Sequence, residues 1–575
     1  MGMRHSLTTV FLRMVILWGG GAMVPLATMA QAMDPYHYRP VKQMKAAHGV
    51  IATAHPLASL AGARILRQGG NAVDAALAAQ LALAVVYPAA GNIGGGGFMV
   101  LHLHDGRNTT IDFRETAPAA AKRDMYLDAD GNADPHLSRE GALSVGVPGT
   151  IAGIFLAHEK YGSAPMRSII QPAIDLAAGG YAISAAEAAG LNHAQEAFRE
   201  YNTVMPVFVK PGGWHEGDTL RQPDLARTLI AIRDHGMAGF YGGETAEKIV
   251  AEMQRSHGII TREDLAHYRA VERQPVEFTY HGYRLICMPP PSSGGILLEQ
   301  MLKMLSRYPV GDYGFESTRS VQLMVEIERR AYADRAQFLG DPDFVAMPLD
   351  SLVSDAYLRR RMADYDPSRA TPSREVAAGQ FAHESEETTH LSVADSQGNV
   401  VSVTYTLNSG YGSKVVVGGA GFILNDEMDD FSAKPGAPNM FGLVGAEANA
   451  ISPGKRMLSS MTPTVVLKGN KPYLVLGTPG GATIITSVFQ TLVDLLDFGM
   501  SVSDAVNQPK FHEQWRPDLV YVEAGFPDSV QRNMEKMGYR FTTRSPIGRT
   551  EVIRIENAVM EAVADKRGDD SVAGY

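Results

Sequence analysis

Cysteine is all but missing: Cys287 is the only one in 575 residues. That excludes an intramolecular disulfide and any cysteine-based metal cluster. The histidines show no metal-ligand spacing, and those such as His390 and His512 read as packing or hydrogen-bonding groups. No internal repeat, no G-x-S-x-G and no Ser-His-Asp order is legible. Acidic residues are absent from the first 32 positions, which carry Arg4 and Arg13, run through apolar 14–26 and end in Ala30-Gln31-Ala32. This is the pattern of a secretory signal with a small-residue cleavage site. Gly19-Gly20-Gly21 and Pro25 interrupt the apolar stretch, so a permanent membrane span is the weaker reading. Setting those residues aside removes two of the 52 basic residues against 62 acidic ones, leaving a net charge near −12. Such a chain is a poor match for nucleic acid or anionic membrane surfaces. Export without disulfides suits a bacterial periplasm. The remainder, 45% apolar and 20% charged overall, has the composition of an ordinary enzyme.

The most informative stretch is 384–412. Leu391, Val393, Val401 and Val403 alternate with small polar residues, the two-residue period of half-buried strands. Asp395-Ser396-Gln397-Gly398-Asn399 between them is turn chemistry. A hairpin centred on Gln397 pairs residues whose numbers sum to 794, which sets Thr388 opposite Thr406, with Cβ atoms about 5 Å apart. Alone, that is most often an ordinary cross-strand pair. A hydroxyl at a strand end, backed by a second hydroxyl, is also a candidate nucleophile.

Elsewhere, 59–68 and Ala72–Val86 read as helices, the second capped by Asn71 and Asp74 and apolar enough on every face to be buried. Residues 98–104 and 109–113 form another hairpin with Arg114 at its end, and 150–340 is mostly helical in pattern. Residues 362–385 are polar and expected to be exposed and mobile; 432–458 is a Gly/Pro/Asn-rich stretch with little periodicity, of a length usual for a functional lid or a disordered loop. A third hairpin, 464–467 with 473–477, pairs residues summing to 940 and so brings Ser459-Ser460 and Gly480-Gly481 to one end. A helix over 484–498 starts directly after the glycines, and its free N–H groups would point at whatever sits there.

A threonine hydroxyl needs a base. A cut between Glu387 and Thr388 would give Thr388 a free α-amine, which titrates near pKa ~8 and can accept the hydroxyl proton. The series Gly91-Asn92-Ile93-Gly94-Gly95-Gly96-Gly97-Phe98, Asp112-Phe113-Arg114-Glu115, Val145-Gly146-Val147-Pro148-Gly149, Pro290-Pro291-Ser292-Ser293-Gly294-Gly295, Thr388-Thr389-His390, Thr404-Tyr405-Thr406-Leu407-Asn408, Met428-Asp429-Asp430-Phe431-Ser432, Leu458-Ser459-Ser460-Met461 and Pro479-Gly480-Gly481 closely resembles the gamma-glutamyltransferases, members of the N-terminal-nucleophile hydrolase superfamily. The likeness runs from about His55 to Tyr575.

The resemblance implies an α+β fold, a four-layer αββα sandwich of two stacked, mainly antiparallel sheets flanked by helices. It makes Thr388 the nucleophile of both self-cleavage at Glu387 and catalysis, with Thr406 bonding near its hydroxyl. Processing would convert the chain into a signal, 1–32, a large subunit, 33–387, and a small subunit, 388–575, that stay together. Arg114, Ser459 and Ser460 would anchor the α-carboxylate of a γ-glutamyl donor, Asn408, Glu427 and Asp430 its α-ammonium, and the N–H groups of Gly480 and Gly481 the oxyanion. Glutathione or a related compound would be the donor, and water, an amino acid or a peptide the acceptor; no metal or organic cofactor is implied. Three residues depart from the family pattern: Glu387 stands where many relatives have Gln, Leu391 where an aromatic is common, and Phe441 where bacterial relatives often carry a lid Tyr. The last removes a hydrogen bond worth about 1 kcal/mol, so the lid is expected to close less firmly and to admit larger acceptors. The rival readings are a cephalosporin acylase or poly-γ-glutamate depolymerase on the same scaffold, and an unprocessed periplasmic binding protein.

Overall fold

The computed structural model describes residues 33–376, 388–434, 446–544 and 546–575. Two seven-stranded sheets dominate it. One runs in the order Ser571–Gly574, Gly49–Thr53, Thr388–Asp395, Val400–Thr406, Gly96–His102, Asn108–Asp112, Val271–Arg273; the other runs Gln43–Ala46, Val559–Val563, Glu551–Glu556, Lys471–Gly477, Thr464–Lys468, Tyr283–Cys287, Val276–Tyr280. Every pairing within both sheets is antiparallel.

Side-chain alternation sorts the residues into layers. Leu391, Val393, Val401 and Val403 point outward into a core shared with the helices Pro56–Arg67 and Ala72–Val86. Ala394, Val400, Phe98 and Val100 point the other way, onto Val465, Val475 and Ile553 of the second sheet. That sheet's outer face packs on the helices Gly294–Leu305, Thr318–Phe338 and Thr483–Leu496. The result is the expected αββα sandwich.

The hairpin arithmetic survives: Thr388 is paired with Thr406 and every rung to Ala394 and Val400 sums to 794. In the third hairpin Thr464 pairs with Leu476, on the expected register, but the ladder slips by one between Val466 and Leu467. All fifteen residues of Ala72–Val86 are buried, and the Asn71–Asp74 capping box is formed.

One further expectation holds and another needs correction in part. Residues 150–340 are mostly helical, as expected, with five short strands among the helices, Tyr181–Ala182, Thr219–Leu220, Val271–Arg273, Val276–Tyr280 and Tyr283–Cys287; short strands flanked by long helices leave little periodicity to read. Residues 362–376 are exposed in part, at 363–364, 367–369 and 374–375, but 371–376 are tied down. Arg329 Nη1 donates to the Thr371 carbonyl at 2.6 Å and to Ser373 Oγ at 3.0 Å, and Trp515 Nε1 donates to the carbonyls of Ser373 and Val376 at 3.0 and 3.3 Å. Thr371 and Ser373 are buried in this hydrogen-bonded clamp, while Asp364, Ser368, Arg369, Arg374 and Glu375 stay exposed. The expectation for 377–385 falls outside the described residues.

Candidate active site

Thr388 and Thr406 sit in the row that faces the second sheet, along with His390, Ser392, Ser402 and Thr404. The layers approach closely here, which is why the row is small and polar. Ser402 Oγ donates to the Leu476 carbonyl at 3.0 Å, and His390 packs so tightly on Gly477 that a Cβ there would lie 2.3 Å from the imidazole. Burial and the absence of a charged partner push the His390 pKa down to about 3, while its ring nitrogens bond Thr404 Oγ1 at 2.8 Å and Ser392 Oγ at 3.0 Å. The unfolded imidazole takes up a proton near pH 6.5 and the folded one does not, so folding stability is expected to fall as pH drops below 6.5, by up to about 1.4 kcal/mol per pH unit from this group. Denaturant melts of wild type and His390→Gln at pH 7, 5.5 and 4.5 check it: the variant's acid slope should be shallower.

The same ladder carries the site across the sheet. Thr406 pairs with Gly96. Phe113 and Gly97 exchange backbone hydrogen bonds at 3.0 and 3.3 Å, which brings Arg114, one residue on, level with Gly96. Thr388, Thr406, Gly96 and Arg114 thus form one lateral row on the inter-sheet face. Three strand spacings separate its ends, about 14 Å. An extended arginine and a glutamyl chain, laid end to end, fill that gap. Gly95 lets the row close up, because a Cβ there would stand 2.1 Å from the Thr406 carbonyl oxygen. Asn92 fixes the same carbonyl through Nδ2 at 2.8 Å and accepts from the Gly95 N–H at 2.9 Å.

Arg114 is buried, 1% exposed. Its Nη1 lies 2.5 Å from Glu427 Oε2 and 3.6 Å from Glu115 Oε2, its Nη2 bonds Asp430, and its Nε donates to the Met457 carbonyl at 3.3 Å. Burial opposes the cation, but the carboxylates of Glu427, Asp430 and Glu115 outweigh it and hold the guanidinium charged. Burial raises the Glu115 carboxyl to about 8 against the pull of Arg114, and raises Glu427 as well. Asn408, at φ +80°, receives Thr406 Oγ1 as acceptor for its N–H at 2.7 Å and donates Nδ2 to the Asp426 carbonyl at 3.0 Å.

On the second sheet the chain leaves Gly477 through Pro479 to Gly480 and Gly481, at φ +131° and +58°, and enters Thr483–Leu496. These are backbone conformations that a side chain disfavours. Thr483 pins the turn, its N–H and Oγ1 both donating to the Gly480 carbonyl at 3.1 and 2.7 Å. Ser459 and Ser460 come to the same end: Ser293 N–H and Oγ both donate to the Ser459 carbonyl at 2.7 Å, and Arg335 Nη2 donates to Ser460 Oγ at 3.0 Å.

Of the sequence-predicted residues, Thr388, Thr406, Arg114, Asn408, Glu427, Asp430, Ser459, Ser460, Gly480 and Gly481 therefore gather at one end of the sandwich. Glu387 and Phe441 lie outside the described residues. Residue-by-residue reading assigned no role to Asn92, Glu115, Tyr332 or Arg335. Asn92 and Glu115 fall inside quoted motifs and could have been flagged there. Tyr332 and Arg335 lie toward the end of the helix Thr318–Phe338, Arg335 in its last turn, where nothing in the pattern distinguishes them from packing or helix-end residues.

Among the described residues no helix is long and apolar enough to cross a membrane. The family model for gamma-glutamyltranspeptidase matches residues 58–575. The glutathione hydrolase proenzyme of Escherichia coli (strain K12) is 45% identical over 563 residues, 97% of each chain. The solved cephalosporin acylase of Bacillus halodurans superposes with a TM-score of 0.83 at 27% identity, over 95% of this chain and 98% of that one. The gamma-glutamyltranspeptidase of Helicobacter pylori superposes with a TM-score of 0.55 at 46% identity, over 57% of this chain and 94% of its own. Sequence match, sandwich topology and the clustered residues agree, and this chain belongs to the gamma-glutamyltranspeptidase family.

Proposed function

We propose that the protein is a self-processing γ-glutamyl transferase and hydrolase in which Thr388 becomes the N-terminus of a small subunit, 388–575, held to a large one, 33–387. The lateral row from Thr388 through Thr406 and Gly96 to Arg114 carries this reading. A hydroxyl at a strand start and an arginine with a buried guanidinium share this row, about 14 Å apart along the sheet, room for the arginine side chain and a γ-glutamyl group.

In processing, Thr388 Oγ attacks the Glu387 carbonyl and the acyl group passes from nitrogen to oxygen, which breaks the peptide bond and frees the α-amine; water then hydrolyses the ester and returns the hydroxyl. In catalysis that amine takes the Oγ proton while Oγ attacks the γ-carbonyl of the donor. Negative charge develops on the carbonyl oxygen and is met by the N–H groups of Gly480 and Gly481, a contact whose loss typically costs ~3 kcal/mol. The amine returns its proton to the departing nitrogen. Water or an amine acceptor then repeats the attack on the γ-glutamyl ester and regenerates the threonine.

Arg114 with Ser459 and Ser460 suits the donor's α-carboxylate, since a planar fork and two hydroxyls match its geometry. Glu427, Asp430 and the Asn408 amide suit the α-ammonium. Glutathione is the donor favoured by the relatives' names. The periplasm is the compartment favoured by the signal-like first 32 residues. A cephalosporin acylase remains the rival, because such an enzyme shares the fold; the acidic triad beside Arg114 favours a donor bearing an α-ammonium.

Mass spectrometry of the mature protein, beside release of p-nitroaniline from γ-glutamyl-p-nitroanilide and hydrolysis of glutaryl-cephalosporin, tests the reading. Two chains meeting at 387/388 and preference for the γ-glutamyl compound are expected. An intact chain, or preference for the cephalosporin, would overturn it.

A further inference from the structure

Arg335 is a buried cation whose direct side-chain contacts are hydroxyls. It is 3% exposed, yet no Asp or Glu among the described residues lies within ion-pair distance of it. Its neighbours on the same helix behave otherwise. Arg329 meets Asp518 at 2.5 Å and Arg330 meets Glu326 at 2.5 Å and Asp364 at 2.8 Å, as structural arginines do. Arg335 spends its fork on hydroxyls instead, Nε on Ser293 Oγ at 2.9 Å and Nη2 on Ser460 Oγ at 3.0 Å. Its field also reaches Asp430. Burying a guanidinium costs several kcal/mol unless an anion compensates it, and Asp430 acts on this one without contact, which leaves its fork available to an anionic ligand through the hydroxyls. The hydroxyl it holds supplies the route. Ser460 Oγ, accepting from a guanidinium, turns its own proton away from that group and becomes a stronger donor.

One helical turn earlier, on the same face, Tyr332 is 2% exposed and its hydroxyl donates to the Ala482 carbonyl. Ala482 directly follows Gly480-Gly481 and caps Thr483–Leu496. The Tyr332 ring rests edge-on against His512, centroids 5.6 Å apart at 83°, and His512 bonds Thr486 Oγ1 at 2.8 Å and Gln514 Oε1 at 2.7 Å. The glycine turn is therefore held from the helix side as well as by Thr483.

We propose that one face of the helix Thr318–Phe338 positions both halves of the site: Arg335, through Ser460, serves the donor α-carboxylate, and Tyr332, through Ala482, fixes the turn that meets the γ-carbonyl oxygen. This rests on the γ-glutamyl reading above. Both are positioning residues, and they fail in different kinetic constants.

The test compares γ-glutamyl-p-nitroanilide with its α-carboxamide analogue. Arg335→Met is expected to raise KM about 10- to 100-fold for the carboxylate donor while moving KM for the carboxamide less than about threefold, so that the discrimination between donors collapses. Arg335→Lys, which keeps charge without the fork, should recover part of it and is read identically where the methionine variant fails to fold. Tyr332→Phe should lower kcat about tenfold on both donors and leave both KM values in place. Equal losses on the two donors in the Arg335 variants would overturn the first half, and a Tyr332→Phe protein with raised KM and intact kcat the second. A wild-type protein inert toward both donors would instead defeat the γ-glutamyl reading itself.

Discussion

Thr388→Ala is expected to run as one unbroken polypeptide and to release no p-nitroaniline from γ-glutamyl-p-nitroanilide, a loss of at least about 10⁴-fold. The reason is chemical rather than structural. Methyl replaces hydroxyl in a position where the ladder is held by backbone bonds to Thr406 and by the packing of His390 on Gly477, so the fold should survive. What disappears is the one atom that serves both cleavage and acyl transfer. Thr388→Ser restores a hydroxyl and is expected to split slowly and regain activity. Denaturing gels and initial rates on the same preparations report both. A split, active alanine protein would contradict the assignment.

Arg114→Met should be nearly as severe, for a different reason. Its removal leaves Glu115, Glu427 and Asp430 buried together with their principal counter-charge gone. Breaking a buried ion pair from one side costs about 3–5 kcal/mol, and the remaining carboxyls can meet part of that only by taking up protons. The variant should therefore melt earlier than wild type, by a margin that grows from pH 6 to pH 8 as protonation of those carboxyls becomes harder. Donor KM should rise at least about 100-fold, since the α-carboxylate loses a two-toothed partner. Arg114→Lys separates the two effects: it keeps a charge for the carboxyls and should hold most of the stability while still binding donor poorly. Thermal melts across pH and initial rates over a range of donor concentrations decide it.

Much of this was readable in the chain. The Thr388–Thr406 pairing followed from period-two alternation about one turn, and the buried Ala72–Val86 helix from its uniform apolarity and capping residues. The nearness of Ser459-Ser460 to Gly480-Gly481 was readable despite a register slip, because the slip falls on the turn side of Val466. What could not be read is what depends on contacts between distant segments. Arg114 alone gives no sign of its three acidic neighbours, two of which are more than three hundred residues away. Arg335 and Tyr332 look like any residues of an amphipathic helix until the fold lays them against Ser460 and Ala482. The clamp at 371–376 was misread for the same reason: Arg329 and Trp515, which bond it, come from distant segments.

The order of strands also says what scission would do. Around the proposed break, Thr388–Asp395 lies between Gly49–Thr53 on one side and Val400–Thr406 on the other, and Gln43–Ala46 is zipped to Val559–Val563 in the opposite sheet. Each sheet thus draws strands from both products. Neither product owns a complete core, so parting them would mean unfolding both. A cut of this kind behaves thermodynamically as a nick, and the working enzyme should no more come apart on dilution than an uncut chain does.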